Sequence, residues 1–204
     1  MQKIMFNDQY GLTQAVLEGR KTQTRRIAYQ EPFKYYCNCG FCMEGKDKGR
    51  LCINDRNEIV AKSKFKLGEE VAIAQRYIDL AQNDEFYRLC GIDGMPLECI
   101  GGEKGCYNKM FVKADLMPHR IRITNIRVER LQYISEEDCM KEGIFCSHID
   151  GIDDAYSYDA TNDSFEKKWW YRTPIEAYKM LSCKLHLHWG SNPLVFVYDF
   201  ELIK

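Results

Sequence analysis

The sequence contains no apolar run that approaches the roughly 20 residues that a membrane-spanning helix requires. It also lacks a cationic leader followed by an apolar core, so we expect an intracellular, cytoplasmic protein that does not associate with a membrane. Internal repeats and low-complexity tracts are absent as well. A chain of 204 residues is long enough for one well-packed domain and too short to require two.

The sequence also lacks an excess of either charge. Its 29 basic and 30 acidic residues leave a formal net charge of -1. This balance excludes attraction to nucleic acid by the charge of the whole molecule, so any such binding must be local. The ten cysteines would indicate disulfides in a secreted protein, but in an intracellular one they favour reduced thiols or a metal site.

Four of the cysteines lie close together in the sequence. A structural zinc ion takes four thiolates in a tetrahedral arrangement, and this cluster has that number. Its spacing differs from the paired C-x-x-C motifs of zinc ribbons, so free thiols in a variable insertion are the alternative. We therefore treat a structural zinc site as possible in this sequence and expect no other cofactor to be required. The four residues are Cys37, Cys39, Cys42 and Cys52.

The segment from Leu17 to Arg26 reads LEGRKTQTRR and is the most informative part of the chain. The preceding residues predict a helix over Tyr10 to Glu18 that ends at Gly19. After this glycine come four cations and no acid, which indicates a local anion site. A solvated basic turn is the alternative, since most charge runs are simply hydrated. The hydroxyl side chains of Thr22 and Thr24 add little to solubility and favour a binding site.

Lys21 and Thr24 form a possible catalytic pair within this segment. Threonine is a poor nucleophile at neutral pH until a neighbouring base removes its proton. A lysine can act as that base if its pKa is lowered, and the nearby arginines disfavour its charged form. The sequence therefore predicts that this segment could activate its own hydroxyl group.

Further along, four elements are predicted from local patterns. A strand over Arg120 to Leu131 changes its alternation near Thr124-Asn125, which predicts a β-bulge. A short helix begins after Ser135 and ends at Gly143. A longer helix starts at Thr173-Pro174, and Leu194 to Ile203 reads as a central strand that is apolar on both faces.

Together these motifs resemble the signature of the ASCH domain, the activating-signal-cointegrator homology module of the PUA-like superfamily. The matching blocks are Gly19-x-Lys21-x-x-Thr24-x-Arg26, Phe65 to Val71, Met117 to Ile144 and Asn192 to Glu201, and the third is similar to the branch found in phages and prophages. The resemblance implies a mainly β (α+β) fold, a PUA-like closed β-barrel with flanking helices. It leaves two insertions unmatched, at about 30–64 and 146–168, which we expect to be surface excursions from a single domain over residues 1–204.

The resemblance also implies roles for three residues. Family members that look like N4-acetylcytidine amidohydrolases use a lysine, a threonine and a glutamate on the short helix after the central strands. Carried over to this chain, this pattern makes Lys21 the base, Thr24 the nucleophile and Glu142 the acid or orienting group. A solvated acid at the helix end is the alternative for Glu142. The chain departs from phage-type relatives at Ala72 to Gln75, where a Trp-x-Arg-Glu sequence is common.

We therefore predict a module that binds RNA or a nucleotide-like ligand in a cleft bordered by Lys21, Thr24, Arg26 and Glu142. One alternative is an amidohydrolase that acts on an acylated nucleoside such as N4-acetylcytidine, with the same residues as catalysts. Another is an accessory protein whose cleft is vestigial. Basic side chains would contact phosphates and a tyrosine would stack on a base, and the residues predicted for these contacts are Arg20, Arg25, Arg26, Arg120, Arg122 and Tyr77.

Overall fold

The computed structural model describes residues 1–28, 60–90, 104–149, 152–158 and 170–203. The strands in this part of the chain are β1 (Gln2–Ile4), β2 (Gln23–Ile27), β3 (Glu70–Ile73), β4 (Arg120–Arg130), β5 (Phe145–Ile149), β6 (Ile152–Ser157) and β7 (Leu194–Ile203). The α-helices are α1 (Leu12–Leu17), α2 (Asp84–Cys90), α3 (Glu136–Lys141) and α4 (Pro174–Lys184).

The first helix is shorter than the sequence predicts. A single turn of 3-10 helix covers Asp8–Tyr10, and the side chain of Asn7 caps it by accepting a hydrogen bond from the Gln9 amide. Gly11 then adopts a left-handed conformation with φ of 65°, which separates this turn from α1. The predicted end of the helix is confirmed, because Gly19 is also left-handed, with φ of 74°.

Five strands form the main sheet, in the order β1-β3-β4-β7-β2. The pair β1 and β3 is parallel, and the other pairs are antiparallel. The predicted central strand is confirmed, since β7 lies between β4 and β2 and buries residues of both faces from Leu194 to Tyr198. The predicted bulge is also confirmed, because the register of β4 against β7 shifts between Ile123 and Asn125.

The prediction of a mainly β fold built on a closed barrel is wrong. The protein is a mixed α/β structure, and neither its five-stranded sheet nor the β5–β6 hairpin closes on itself in the described residues. The two outer strands, β1 and β2, do not pair with each other there. Instead, the Arg26 guanidinium spans between them and donates a hydrogen bond of 2.6 Å to the Met5 carbonyl. With only three residues in β1, the short edge offers little backbone for a closing ladder.

Helices cover the sheet and supply part of its core. Tyr178 and Leu181 of α4 are fully buried in the main hydrophobic cluster together with the inner residues of β4 and β7. The start of α4 was predicted correctly, since the Thr173 side chain accepts a hydrogen bond from the Glu176 amide and Pro174 is the first helical residue. With 11 residues α4 is the longest described helix, and no helix in the described ranges is long and apolar enough to cross a membrane.

A second cluster of buried side chains lies beside β3, around Tyr77, Phe86 and Met117. Part of the second predicted insertion folds as the β5–β6 hairpin, in which Ala155 and Ser157 are buried. Most of the first predicted insertion lies outside the described residues.

Candidate ligand-binding and catalytic cleft

Lys21 is held inside the protein by the way α1 ends. Gly19 turns the chain, and the Lys21 amide donates a 2.9 Å hydrogen bond back to the carbonyl of Ala15. The side chain therefore points into the molecule rather than away from it, and only 2% of Lys21 is exposed. The solvated basic turn that the sequence left open does not describe this residue.

Glu142 is placed by a second helix end. Gly143 has φ of 101°, its amide donates to Met140, and the amide of Ile144 donates to Cys139. These two hydrogen bonds form a Schellman motif, which needs a residue that tolerates the left-handed conformation just after the helix. Glu142 is consequently fixed at the end of α3, where it is 3% exposed.

The two helix ends bring the Lys21 ammonium and the Glu142 carboxylate together. Nζ donates to Oε2 at 2.6 Å and to the main-chain carbonyl of Glu142 at 2.7 Å. The second contact places a cation at the carboxyl end of α3, where the helix dipole is negative. Burial lowers the pKa of Lys21, the negative charge of Glu142 opposes that shift, and the charges of Arg26 and Arg25 add to the lowering. Lys21 thus releases its proton more readily than a lysine in water.

Thr24 lies on β2 opposite Tyr198 of β7 and is 5% exposed. It lines a cleft of about 600 Å³ between the amino-terminal segment, β2 and the end of α4, together with Lys21 and Glu142. The three residues that the family pattern singled out are therefore brought together, although 121 positions separate Lys21 from Glu142. The cleft is also lined by Met5, Phe6, Asp8, Leu12, Arg25, Arg26, Lys109, Lys184, Leu185 and Leu187.

Arg25 fixes the rear of the cleft. Its guanidinium donates to Glu142 Oε1 at 3.1 Å, to Glu129 Oε1 at 2.6 Å and to Asp138 Oδ2 at 2.9 Å. It also donates to the Gln23 side chain, and its carbon Cζ lies 5.8 Å from the centre of the Tyr178 ring. Every described contact of this arginine is internal, and its side chain is 0% exposed. Arg25 organises the carboxylates around Glu142 instead of presenting a free cation to a ligand.

A polar network extends from Arg25 across the sheet. Asp138 accepts hydrogen bonds from Gln23 at 3.2 Å and from Arg127, which also donates to Asp199 at 2.7 Å. Gln23 itself donates to Asp199 at 2.6 Å. The sequence predicted only that a short helix begins after Ser135, three residues before Asp138. The Asp138 amide does bond to Ser135, but the carboxylate is used by this network, for which no local sequence pattern gives a signal.

The other predicted ligand contacts lie outside the cleft. Arg20 pairs with Glu18, and its guanidinium carbon lies 5.9 Å from the centre of the Phe145 ring. Arg122 is exposed on β4 and pairs with Glu70 at 3.2 Å and Glu201 at 3.1 Å. Arg120 lies two residues before Arg122 on the same strand. Tyr77 is 1% exposed and packs against Phe86, so its ring offers no open face to a base.

The sequence departure at Gln75 is visible in the structure. Gln75 Oε1 lies 2.7 Å from His119 Nδ1 and lines a neighbouring cleft of about 510 Å³ with Asp79 and Arg76, not the cleft of Lys21.

The candidate zinc ligands Cys37, Cys39, Cys42 and Cys52 lie outside the described residues. Within the described ranges, no three histidine, cysteine or acidic side chains are placed to hold a metal ion.

Comparisons with family models, with curated proteins and with solved structures gave no match to this chain. The ASCH resemblance therefore stays a prediction from sequence motifs.

Proposed function

We propose that the cleft binds a nucleotide-like ligand, either a free nucleotide or one nucleotide of an RNA. The observation that carries this proposal is the convergence of Lys21, Thr24 and Glu142 in one cleft. An ammonium, a hydroxyl and a carboxylate held in fixed positions offer both donors and acceptors, and such a set suits the polar edge of a base or a ribose.

The charges of the cleft favour a ligand with a phosphate group. Five cations line it against two carboxylates, but most of these charges are already paired. Lys109 pairs with Asp8, while Lys21 and Arg25 pair with Glu142. Arg26 and Lys184 line the cleft without a carboxylate partner in the described residues. These two side chains can therefore supply charge-assisted hydrogen bonds to an anion.

The remaining walls are apolar. Phe6, Leu12 and Leu187 are buried, and Leu185 is half-buried beside them. Ligand sites commonly combine such walls with a few placed polar groups and have volumes of 300 to about 1,000 Å³, a range that includes this cleft. The apolar walls would contact the faces of a base while the polar groups contact its edge and its phosphate.

Isothermal titration with the four ribonucleoside 5′-monophosphates tests this proposal. We expect at least one of them to bind, and the Arg26→Gln variant to bind it roughly tenfold or more weakly, since a hydrogen bond to a charged group contributes more than a neutral one. The matched control is Arg172→Gln, because Arg172 is exposed and does not line the cleft. Absence of binding of all four nucleotides at millimolar concentration would support a vestigial cleft instead.

A second function is favoured by the shared lining of one cleft by Lys21, Thr24 and Glu142, together with the direction in which burial shifts the pKa of Lys21, which is downward. In this alternative the Lys21 ammonium gives its proton to Glu142, and the neutral amine takes the proton of Thr24. The Thr24 oxygen attacks the acyl carbon of an acylated nucleoside, and the proton passes to the leaving amine as the C–N bond breaks. Water then hydrolyses the threonine ester, which releases the carboxylic acid and restores the hydroxyl group.

The amidohydrolase alternative is tested with N4-acetylcytidine at high enzyme concentration, following release of cytidine by chromatography. We expect Thr24→Ala to reduce turnover to the background rate, while Thr24→Ser retains a measurable rate because it keeps a hydroxyl group. An unchanged thermal transition of Thr24→Ala separates loss of chemistry from loss of fold. Lack of turnover by the unmodified protein would reject catalysis and leave the binding proposal standing.

A further inference from the structure

The gap between the two outer strands of the main sheet forms a further groove, which we call the edge groove. It has a volume of about 400 Å³ and runs between Lys3–Met5 on one side and Arg26–Ala28 on the other, with Lys62, Lys64, Phe65, Phe196 and Tyr198 completing its lining. This groove exists because β1 and β2 do not pair, so it occupies the place where a closed barrel would have had a continuous wall.

The edge groove is continuous with the cleft described above. Met5 and Arg26 line both of them, and the hydrogen bond from the Arg26 guanidinium to the Met5 carbonyl spans the boundary. A ligand that enters the cleft can therefore extend past Arg26 into the groove. If the ligand is a chain of nucleotides, a groove next to a nucleotide site can hold the part of the chain that follows the bound nucleotide.

The charge of the edge groove is of one sign. Lys3, Arg26, Lys62 and Lys64 line it, and its described lining contains no acidic residue. Lys62 and Lys64 are exposed and can reach a ligand. Lys3 donates to two main-chain carbonyls, and its pKa is lowered by burial and by the charge of Lys64, so these two cations lie close enough to repel each other. An anion that binds among them would relieve this repulsion.

The floor of the groove is made of aromatic rings. Phe65 packs edge-to-face on Tyr198 with ring centres 5.3 Å apart, and Phe196 lies beside them. Lys64 Nζ lies 5.2 Å from the centre of the Phe65 ring, which holds the ammonium over the floor. Because the rings are largely buried, they give the groove a rigid apolar base instead of stacking platforms, and the exposed side chains of Lys62 and Lys64 are the groups that can reach a ligand.

We propose that the edge groove binds the phosphodiester backbone of a single-stranded RNA whose neighbouring nucleotide occupies the cleft. This inference rests on the proposed function, because the cleft must first accept a nucleotide. A row of cations along a groove whose described lining has no carboxylate or amide side chain fits binding of the backbone rather than of a particular sequence. A peptide strand added to a free sheet edge would find the same backbone groups, but it would not require four cations.

The test compares two ligands and four proteins, the unmodified protein and three variants. Fluorescence anisotropy measures binding of a labelled single-stranded RNA of about ten nucleotides, and titration calorimetry measures binding of the ribonucleoside monophosphate that binds best. Neutralising both exposed lysines with Lys62→Gln/Lys64→Gln is expected to weaken RNA binding and to leave nucleotide binding unchanged. The slope of log K against log salt should become shallower by about 1.4, since each phosphate contact to a single strand contributes about 0.7.

Two controls make the result specific. Lys179→Gln removes one exposed charge from α4 outside both cavities and should change neither ligand's binding. Lys62→Arg/Lys64→Arg keeps both charges and should retain most of the RNA affinity. An unchanged salt slope in the glutamine variant, with nucleotide binding intact, would contradict the proposal that the edge groove binds RNA. The proposed function of the cleft would still stand. Failure of both nucleotide and RNA to bind the unmodified protein would overturn both.

Discussion

Replacing Glu142 with alanine is expected to reduce the free energy of unfolding by about 3–5 kcal/mol, the cost typical of removing one partner from a buried ion pair. Of its hydrogen-bond partners in the described part of the chain, the Lys21 ammonium would keep only the main-chain carbonyl of residue 142, while remaining almost fully buried. Arg25 would lose one of its three carboxylate partners at the same time. Urea denaturation at neutral pH measures the effect as a lower transition midpoint.

The matched control lies on the same helix. Glu137 is 77% exposed and, within the described ranges, pairs only with Lys141 one turn away, so Glu137→Ala should change stability little. If Glu142→Ala cost no more than this control, Lys21 and Glu142 would not form the buried pair described above.

A double variant separates the pair's electrostatics from its packing. Lys21→Met/Glu142→Gln removes both charges while keeping side chains of similar length. We expect it to be more stable than Glu142→Ala, because no buried cation remains without its carboxylate. If the double variant folds but binds no nucleotide, Lys21 and Glu142 belong to the ligand site, and their role is not limited to stabilising the fold.

Local features of this fold could be predicted because their causes are local. A left-handed glycine ends a helix whatever surrounds it, which is why the turns at Gly19 and Gly143 were predicted correctly. The bulge after Ile123 was visible as a change in alternation within one strand. Gly11, in contrast, divides the predicted helix, because a glycine inside a helical pattern does not reveal by itself which conformation it adopts.

Long-range features were harder to predict, and the barrel is the clearest case. Closure depends on whether β1 and β2 meet, and these strands are far apart in the order of the sheet although both lie near the amino terminus. The convergence of Lys21 with Glu142 was expected from a family pattern, not from spacing. The partners of Arg25 were missed for the same physical reason, since Glu129 and Asp138 lie more than 100 positions away in the chain.

The second large effect is expected at Arg25. Arg25→Met should reduce the free energy of unfolding by about 3–5 kcal/mol at neutral pH, because methionine fills part of the volume and supplies none of the donors. Glu142, Glu129 and Asp138 would then face one another around an empty position at which a cation now stands. The control is Arg88→Met, since Arg88 is 72% exposed and Glu85 is its only ion-pair partner among the residues that the structure describes, and it should change stability little.

The pH dependence of this variant distinguishes charge from packing. Burial opposes ionisation of Asp138, but hydrogen bonds from Gln23 and Arg25 and the charges of Arg127 and Arg25 outweigh it and hold the pKa of Asp138 below its ordinary value. A carboxyl group whose pKa is depressed by folding stabilises the protein above the pKa of the unfolded chain, near 4, and loses that contribution as the pH falls through the folded value. Arg25→Met removes the part of this stabilisation that comes from the hydrogen bond and the charge of Arg25. The stability gap between parent and variant should therefore be widest at neutral pH and should narrow below about pH 4, whereas a gap that is constant with pH would mean that Arg25 acts through its volume alone.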